Sequence, residues 1–380
     1  MLQIKDQMDI IIESKLVVMV LAIPLIVALL FGYIFANNQI LETDLAVIDL
    51  DNSSYSRQLT EKLDASPYIR VSQVFYEYME PQLLLINRKY RGAVVLPVDL
   101  EANIYRGKQS NIGFVVDDTV AGGVANLRQG VTEVFTVENA AGSMAKLSAL
   151  GLTSDQAMGL VGALSIQQRT PYNPALDYIN TTVVGFVNLI LMALLTMQTL
   201  TIVPRLRAGG QYPKAILSPL GIISRVIPYV AVFFVGTIFT LGVLKEFAGL
   251  RFAGSVLEFS LPLFLHLLAS GLLGLFLGWT AKDPSKATAK AIIVIFPSFL
   301  LSNIVFPVAL MPQPLQYLGK AFPLNWYAIF YQDIALRGAP LTYLGKELGG
   351  FLILLAAISL LLALIIIKEL RANNQNTTPE

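Results

Sequence analysis

The run Leu16-Val-Val-Met-Val-Leu-Ala-Ile-Pro-Leu-Ile-Val-Ala-Leu-Leu-Phe-Gly-Tyr-Ile-Phe-Ala36 contains no charged side chain. A helix needs about 20 apolar residues to cross a hydrocarbon core, because every backbone amide and carbonyl must find its partner within the segment. This run has that length. It is too long for the apolar core of a secretory signal, acidic residues share its N-terminal flank, and no small-x-small site follows promptly, so it is read as a retained anchor. Five further stretches have the same character, at residues 178–203, 226–244, 259–281, 291–311 and 348–367. Between the first and second lies sequence of a different kind. The expected fold is an α-helical polytopic membrane protein of six spans, with a small α/β extracytoplasmic domain and a helical stalk inserted after the first.

Composition agrees with that reading. The chain is 55% hydrophobic and 14% charged, with a mean hydropathy of +0.63, whereas soluble domains carry roughly a quarter charged residues. A net charge of +1 leaves no nucleic-acid footprint. The absence of Cys excludes disulfides, thiol catalysis and Cys-ligated metals, and the single His266 makes no zinc-type cluster. No catalytic residue, metal ligand or cofactor-binding residue is expected.

Lys and Arg in the short loops set orientation, because long domains cross largely regardless of charge. One side carries Lys5, Lys15, Arg205, Arg207, Lys214, Arg225, Lys282, Lys286, Lys290, Lys368 and Arg371; the other carries Lys245, Arg251, Lys320, Arg337 and Lys346. The 11-to-5 ratio puts both termini in the cytoplasm of a cytoplasmic (inner) membrane and residues 37–177 outside. Residues 1–15 place Ile4, Met8, Ile11 and Ile12 at helical spacing, an interfacial helix leading into the span at 16–36. Residues 178–367 form the five-span portion and 368–380 a cytoplasmic tail.

Within the insertion, 45–49, 69–74, 92–96 and 112–116 read as strands, and 55–65, 78–90 and 98–105 as helices, with Asn52-Ser-Ser54 a cap for the first. Helical sequence with Val124, Leu127, Val131 and Val134 on one face runs to about residue 150, and a further helix covers 154–166. Together these form the expected stalk. Asp117-Asp118 invites a metal reading, but one carboxylate pair at a strand end is more often a turn.

Ionisable side chains at membrane depth mark ion-driven transporters, and only His266 lies deep in a span, with no acidic partner in the others. It is read as a helix-contact residue. No phosphate-cradling G-x-x-x-x-G-K-[ST] occurs, and Ala208-Gly-Gly-Gln211 only echoes an ATPase signature loop. Energy must then come from a partner. The basic, Gly- and Pro-rich loop at 204–225, with a short helix expected at 214–217, suits docking onto another protein. Its candidate docking residues are Arg205, Arg207, Lys214 and Leu217. Gly271, Gly274 and Gly278 offer a small face for close helix packing, within the chain or across a dimer. Trp326, Tyr327 and Tyr331, with Phe322 and Phe330, suit either the outer headgroup layer, as a short half-helix, or the lining of a substrate exit.

Several stretches in a fixed order carry a resemblance. These are Leu45-Ala-Val-Ile-Asp-Leu-Asp51; Tyr90-Arg-Gly-Ala-Val-Val-Leu-Pro97 ahead of Ile112-Gly-Phe-Val-Val-Asp-Asp118; Tyr172-Asn-Pro174; and the closing Phe306-Pro307, Met311-Pro312, Phe322-Pro-Leu324 and Leu336-Arg-Gly-Ala339. With the N-terminal amphipathic helix, they make nearly the whole chain similar to the permease subunits of type-2 ABC transporters, in the exporter-like branch with an extracytoplasmic domain after the first span. The resemblance implies an ATP-driven exporter of an amphipathic, lipid-like, drug or envelope substrate. Its expected partners are a second permease chain in a homo- or heterodimer, a periplasmic adaptor, and two cytoplasmic ATPase subunits that hold ATP-Mg. Docking would fall on residues 1–15, 204–220 and 281–290. The family's mixed-charge run after the second span is replaced here by Pro204-Arg-Leu-Arg-Ala-Gly-Gly210, without an acid. That departure points to a divergent ATPase or to the weaker half of a heterodimer. The alternative from another class is a non-transporting receptor or secretion scaffold of the phage-infection-protein type, whose outer regions are much longer.

Overall fold

Backbone groups in an apolar run have only one another to bond, and in the computed structural model of this chain the apolar runs close on themselves as helices. The structure describes residues 2–34, 42–86, 89–119, 121–161, 179–281, 283, 287–304 and 308–375. They fall into two compact units, Met1–Ala36 with Pro171–Glu380, and Asn37–Thr170. The first, helical, unit opens with α1 (Leu2–Glu13) and α2 (Leu16–Ile34), bent by 51° at a break where Lys15 takes a positive φ of 55°. Of the expected apolar stripe on α1, Ile11 is buried while Met8 and Ile12 stay exposed. The inward face instead pairs Ile11 with Gln7, one helical turn away, whose side-chain oxygen accepts a hydrogen bond from the Tyr229 hydroxyl at 3.2 Å. Met8 and Ile12 are thereby left for an apolar environment.

The second unit contains β1 (Thr43–Asp49), α3 (Ser54–Asp64), β2 (Ile69–Phe75), α4 (Pro81–Ile86), β3 (Gly92–Leu96), α5 (Leu100–Tyr105), β4 (Gly113–Val116), α6 (Ala121–Ala149) and α7 (Ser154–Val161). The sheet order is β2-β1-β3-β4, with β1 parallel to both neighbours and β4 antiparallel. Alternation along β1 splits its side chains between two cores. Leu45 and Val47 pack with Leu59 and Leu63 of α3 and Leu127 and Val131 of α6, while Ala46 and Ile48 pack with Leu84 of α4, Tyr90 and Ala93.

The Leu45–Asp51 stretch ends in two acids with separate tasks. Asp49 accepts from the amides of Asp51 and Asn52 and from the Ser56 hydroxyl, next to the Ser53 and Ser56 capping box that starts α3. Asp51 accepts from the amides of Leu100 and Glu101 and so caps α5 from a distance. Asp99 takes a positive φ of 58° and makes no cap bond, which is why α5 begins later than residue 98. The helix expected at 78–90 shortens to α4, which Pro81 starts. The first half of α6 is a layer of this unit's core rather than a free stalk; residues 162–178, which take in the end of the helix expected at 154–166 and the Tyr172–Pro174 stretch, lie outside the described residues.

The helical unit resumes with a π-helical turn, Ile179–Val183, then α8 (Val184–Leu200), α9 (Ile202–Ala208), α10 (Tyr212–Ala215), α11 (Pro219–Ser224), α12 (Val226–Phe247), α13 (Val256–Trp279), α14 (Ile292–Leu301), α15 (Gln313–Gly319), α16 (Pro323–Phe330), a second π-helical turn, Tyr331–Leu336, and α17 (Gly345–Gln375). Among the described residues, four helical stretches are long and apolar enough to cross a membrane, Ile179–Ala208, Pro219–Phe247, Val256–Trp279 and Leu341–Arg371, and the bent α1 and α2 together make a fifth. The run expected to span as one helix at 291–311 does not. Its helix α14, ten residues long, rises about 15 Å and ends at Leu301, with Pro297 inside it and Asn303 at a φ of 62° beyond.

The glycine stripe decides the central packing. A Cβ on Gly274 would stand 2.2 Å from Thr199 Oγ1 and 2.5 Å from the Thr196 carbonyl oxygen, and one on Gly278 would stand 2.2 Å from the Leu200 carbonyl oxygen. Gly271 abuts Val226 in the same way, at 2.7 Å. Gly274 and Gly278 therefore bring the backbone of α13 against α8 inside one chain.

Candidate partner-docking surface

The break after α8 follows from the sequence. Thr201 interrupts the helix, α9 ends at Gly209-Gly210 with Gly210 at a φ of 66°, and Pro213 starts α10. The short helix expected at 214–217 accordingly sits two residues earlier, at Tyr212–Ala215, because Ser218-Pro219 already opens α11. Of the four expected docking residues, Arg205, Lys214 and Leu217 are exposed. Leu217 is 67% exposed and Leu220, at the start of α11, is 79% exposed. Two such leucines on a short polar connection are a patch that solvent alone does not explain. Beside them α1 exposes Asp6, Asp9 and Glu13, and α1 packs against α11 and α12.

Arg207 is placed differently, turned inward and half-buried. Its guanidinium donates to the carbonyl oxygens of Trp279 at 2.9 Å and Ala281 at 2.8 Å, lies 3.5 Å from the Glu369 carboxylate, and sits 4.7 Å over the Tyr212 ring. The Tyr212 hydroxyl donates to Glu369 at 2.9 Å and accepts from the Trp279 indole at 3.0 Å. Burial, with the Glu369 carboxylate adding to it, raises the Tyr212 pKa above the ordinary tyrosine value, so the hydroxyl keeps its proton. Lys290 similarly donates to the Thr280 carbonyl oxygen at 2.8 Å; Lys282 and Lys286 lie outside the described residues. Tyr212, Trp279 and Glu369 are the residues that sequence reasoning overlooked. The available signal was a Trp and a lone acid at the ends of apolar runs.

At the opposite end of these helices, Glu258 accepts from the Leu341 amide at 3.2 Å and Asn180 accepts from the Arg251 amide at 2.7 Å. Trp326, Tyr327 and Tyr331 lie there too, buried within the chain. Trp326 stacks on Phe351 at 5.8 Å, and Tyr327 packs against Phe259, Tyr331 and His266 at 5.8, 6.0 and 5.1 Å. His266 is fully buried, and neither ring nitrogen makes a hydrogen bond of ordinary geometry among the described residues. In the sheet unit the acid pair is occupied. Asp117 accepts from the Thr119 amide and hydroxyl and pairs with Arg91 at 3.3 Å, and Asp118 pairs with Arg128 at 3.3 Å.

Relatives match this chain in sequence over most of their length. The chain is 21% identical over 340 residues to "Probable multidrug ABC transporter permease YbhS" of Escherichia coli (strain K12), covering 88% of this chain and 87% of that one. It is 21% identical over 346 residues to "Probable multidrug ABC transporter permease YbhR" of the same organism, covering 89% of each. It is 23% identical over 301 residues to "Inner membrane transport permease YhhJ", also of that strain, covering 78% and 77%. All three are described as permeases, which gives the receptor alternative no support. The family model described as ABC-2 family transporter protein matches residues 15–368. This membrane-embedded chain belongs to that family of ABC transporter permeases.

Proposed function

We propose that this chain is the membrane subunit of an ATP-driven exporter in the inner membrane, moving an amphipathic, lipid-like or drug-like molecule or an envelope component outward. Two permease chains enclose the path. Two ATPase subunits, carrying ATP-Mg, dock from the cytoplasm on Arg205, Lys214, Leu217 and Leu220 together with the acidic face of α1, and residues 37–177 stand on the far side. A periplasmic adaptor is a further partner of this reading. Six crossings are inferred, with both termini in the cytoplasm and α14 with the chain after it making the fifth.

One observation carries the docking reading: exposed Leu217 and Leu220 follow an exposed Lys214 on a loop whose inner side is pinned to the helix ends. Apolar anchors ringed by charge are how a partner is held. Purification of tagged chain from its native membrane should recover an ABC ATPase subunit, and substrate should stimulate ATP hydrolysis in the reconstituted complex. A Leu217→Asp, Leu220→Asp double variant should be inserted normally and lose that subunit. Recovery of the wild-type chain with no nucleotide-binding partner would remove the reading.

A further inference from the structure

The loop between α9 and α11 contains an obvious soft point, Gly209-Gly210, and the contacts on either side of it bridge that point. Arg207 lies before the glycines and Tyr212 after them, and both bind the same two elements. Arg207 holds the carbonyls at the C-terminus of α13 and approaches Glu369 on α17, while Tyr212 binds Trp279 of α13 and Glu369 of α17. A guanidinium nitrogen placed on the last carbonyls of a helix satisfies acceptors that no intrahelical donor reaches and complements the negative end of the helix dipole. The indole N–H, the phenol and the carboxylate then form a chain in which each donor has an acceptor. Trp279 is buried, and Arg207 and Glu369 are each more than half-buried, so the junction is less screened than a surface ion pair.

Of the four long apolar stretches, the one that holds α17 is the least buried within the chain. Most of its length is exposed within the chain, including Leu352, Ile353, Leu360, Leu361 and Leu364. It is held near its start by Phe351, stacked on Trp326 and Phe330, and near its end by Glu369. Between those points Ile358, Leu362 and Ile366 are buried along one face, and the loop sits at the C-terminal fastening, where its displacement reaches the helix directly.

We infer that Arg207, Tyr212, Trp279 and Glu369 are positioning residues that carry a displacement of the docking loop into α13 and α17, so that Gly209-Gly210 does not absorb it. The inference rests on the docking reading, and its test separates the two. The chain has no Cys, so spin labels at Gln211→Cys and Arg371→Cys report the distance from loop to α17 end in full-length protein in nanodiscs, with and without the ATPase subunit. The label pair should give one narrow distribution that broadens in Tyr212→Phe, which keeps the ring under Arg207 and removes both hydroxyl bonds, and in Glu369→Gln. In the complex, these variants should retain the ATPase subunit and its basal hydrolysis. They should also lose about tenfold in substrate moved per ATP, the scale of a modest coupling between sites. A simple loss of folding would lower hydrolysis and transport together and leave that ratio unchanged. Unchanged distributions, or an unchanged ratio in both variants, would overturn the junction. Failure of the wild-type chain to bind any ATPase would remove the docking reading, while broadening in the isolated chain would still support the junction.

Discussion

Gly278 has the Leu200 carbonyl oxygen where a side chain would begin. Gly278→Ala therefore forces two helix backbones apart, and a loss of about 1–3 kcal/mol is expected from overpacking. Gly242, in α12, has nothing within 4 Å of its would-be Cβ, so Gly242→Ala should leave thermal stability in detergent unchanged or raise it slightly. Equal melting shifts for the two would refute this packing. His266 supports a second prediction. Its ring packs on Tyr327 and its polar partner is the Pro323 backbone, without a bond of ordinary geometry, so His266→Phe keeps an aromatic ring there and gives up only a weak interaction, at a cost of about 1 kcal/mol. Transport and stability should both survive it; loss of transport with intact folding would mean that the imidazole moves a proton.

Two carboxyls in the sheet unit are held below the ordinary carboxylate pKa. Burial alone would raise Asp44, but hydrogen bonds from Ser72 and Arg70 and the charges of Arg70 and Lys89 outweigh it and hold its pKa below the usual carboxylate value. Donors from Thr119, then Arg91, lower Asp117 likewise. A lowered carboxyl contributes stability above its unfolded pKa, about 3.9, and loses it as pH falls through the folded value. An Asp44→Asn, Asp117→Asn double variant should melt below the parent at pH 6, and the gap should narrow as pH falls below about 4. A gap independent of pH would exclude ionisation as its cause. None of these partners could be assigned from sequence. Asp117-Asp118 reads as a turn, but only the fold brings Arg91 to it across a strand pairing.

Elements were easier to read than their neighbours, for a reason visible in β1. Alternation of Leu45, Ala46, Val47 and Ile48 is a local signal, and so are the Ser53 cap and the helical spacing of Leu127 and Val131. The cap on α5 is not local. Asp51 reaches amides 49 and 50 residues away, while Asp99, immediately before the helix, makes no side-chain cap bond. Asp51→Ala should cost about 0.5–2 kcal/mol, the usual worth of such a cap. Asp99→Gly should cost nothing or stabilise, since glycine takes a positive φ without steric penalty. Melting of the two variants checks this, and the reverse order would assign the cap to Asp99. The same distinction explains the fifth apolar run. Hydropathy summed over 291–311 registers a span, but Pro297 and the left-handed Asn303 break the helix. The short α15 and α16 then pack beside it, with the Leu301 carbonyl oxygen 3.0 Å from where a Gly319 Cβ would lie.

At the scale of the molecule, hydrogen bonds at the helix ends constrain the path of the chain. Leu341 meets Glu258 where α13 begins, whereas Arg207 holds the carbonyls where α13 stops and pairs there with Glu369. Thus α8 with α9, α13 and α17 run in the same direction. Lys290 donates to Thr280 at the end of α13, so the segment between Lys290 and Leu341 starts near one end of this bundle and finishes at the other. It has to traverse the bundle, even though α14 covers only about half of a hydrocarbon core of about 30 Å. Net crossing by this segment favours an even number of traversals, and hence termini on the same side as the loop at residue 211. Single cysteines introduced into the Cys-free chain at Gln211, Tyr343 and Arg371, all exposed, test this in intact cells with a membrane-impermeant maleimide. Tyr343→Cys should label from outside, together with Lys108→Cys in the sheet unit, while Gln211→Cys and Arg371→Cys should label only after the cells are opened. Labelling of Tyr343→Cys and Arg371→Cys from the same side would make the last apolar helix re-entrant and leave five crossings. The junction at Glu369 could not then face a cytoplasmic ATPase.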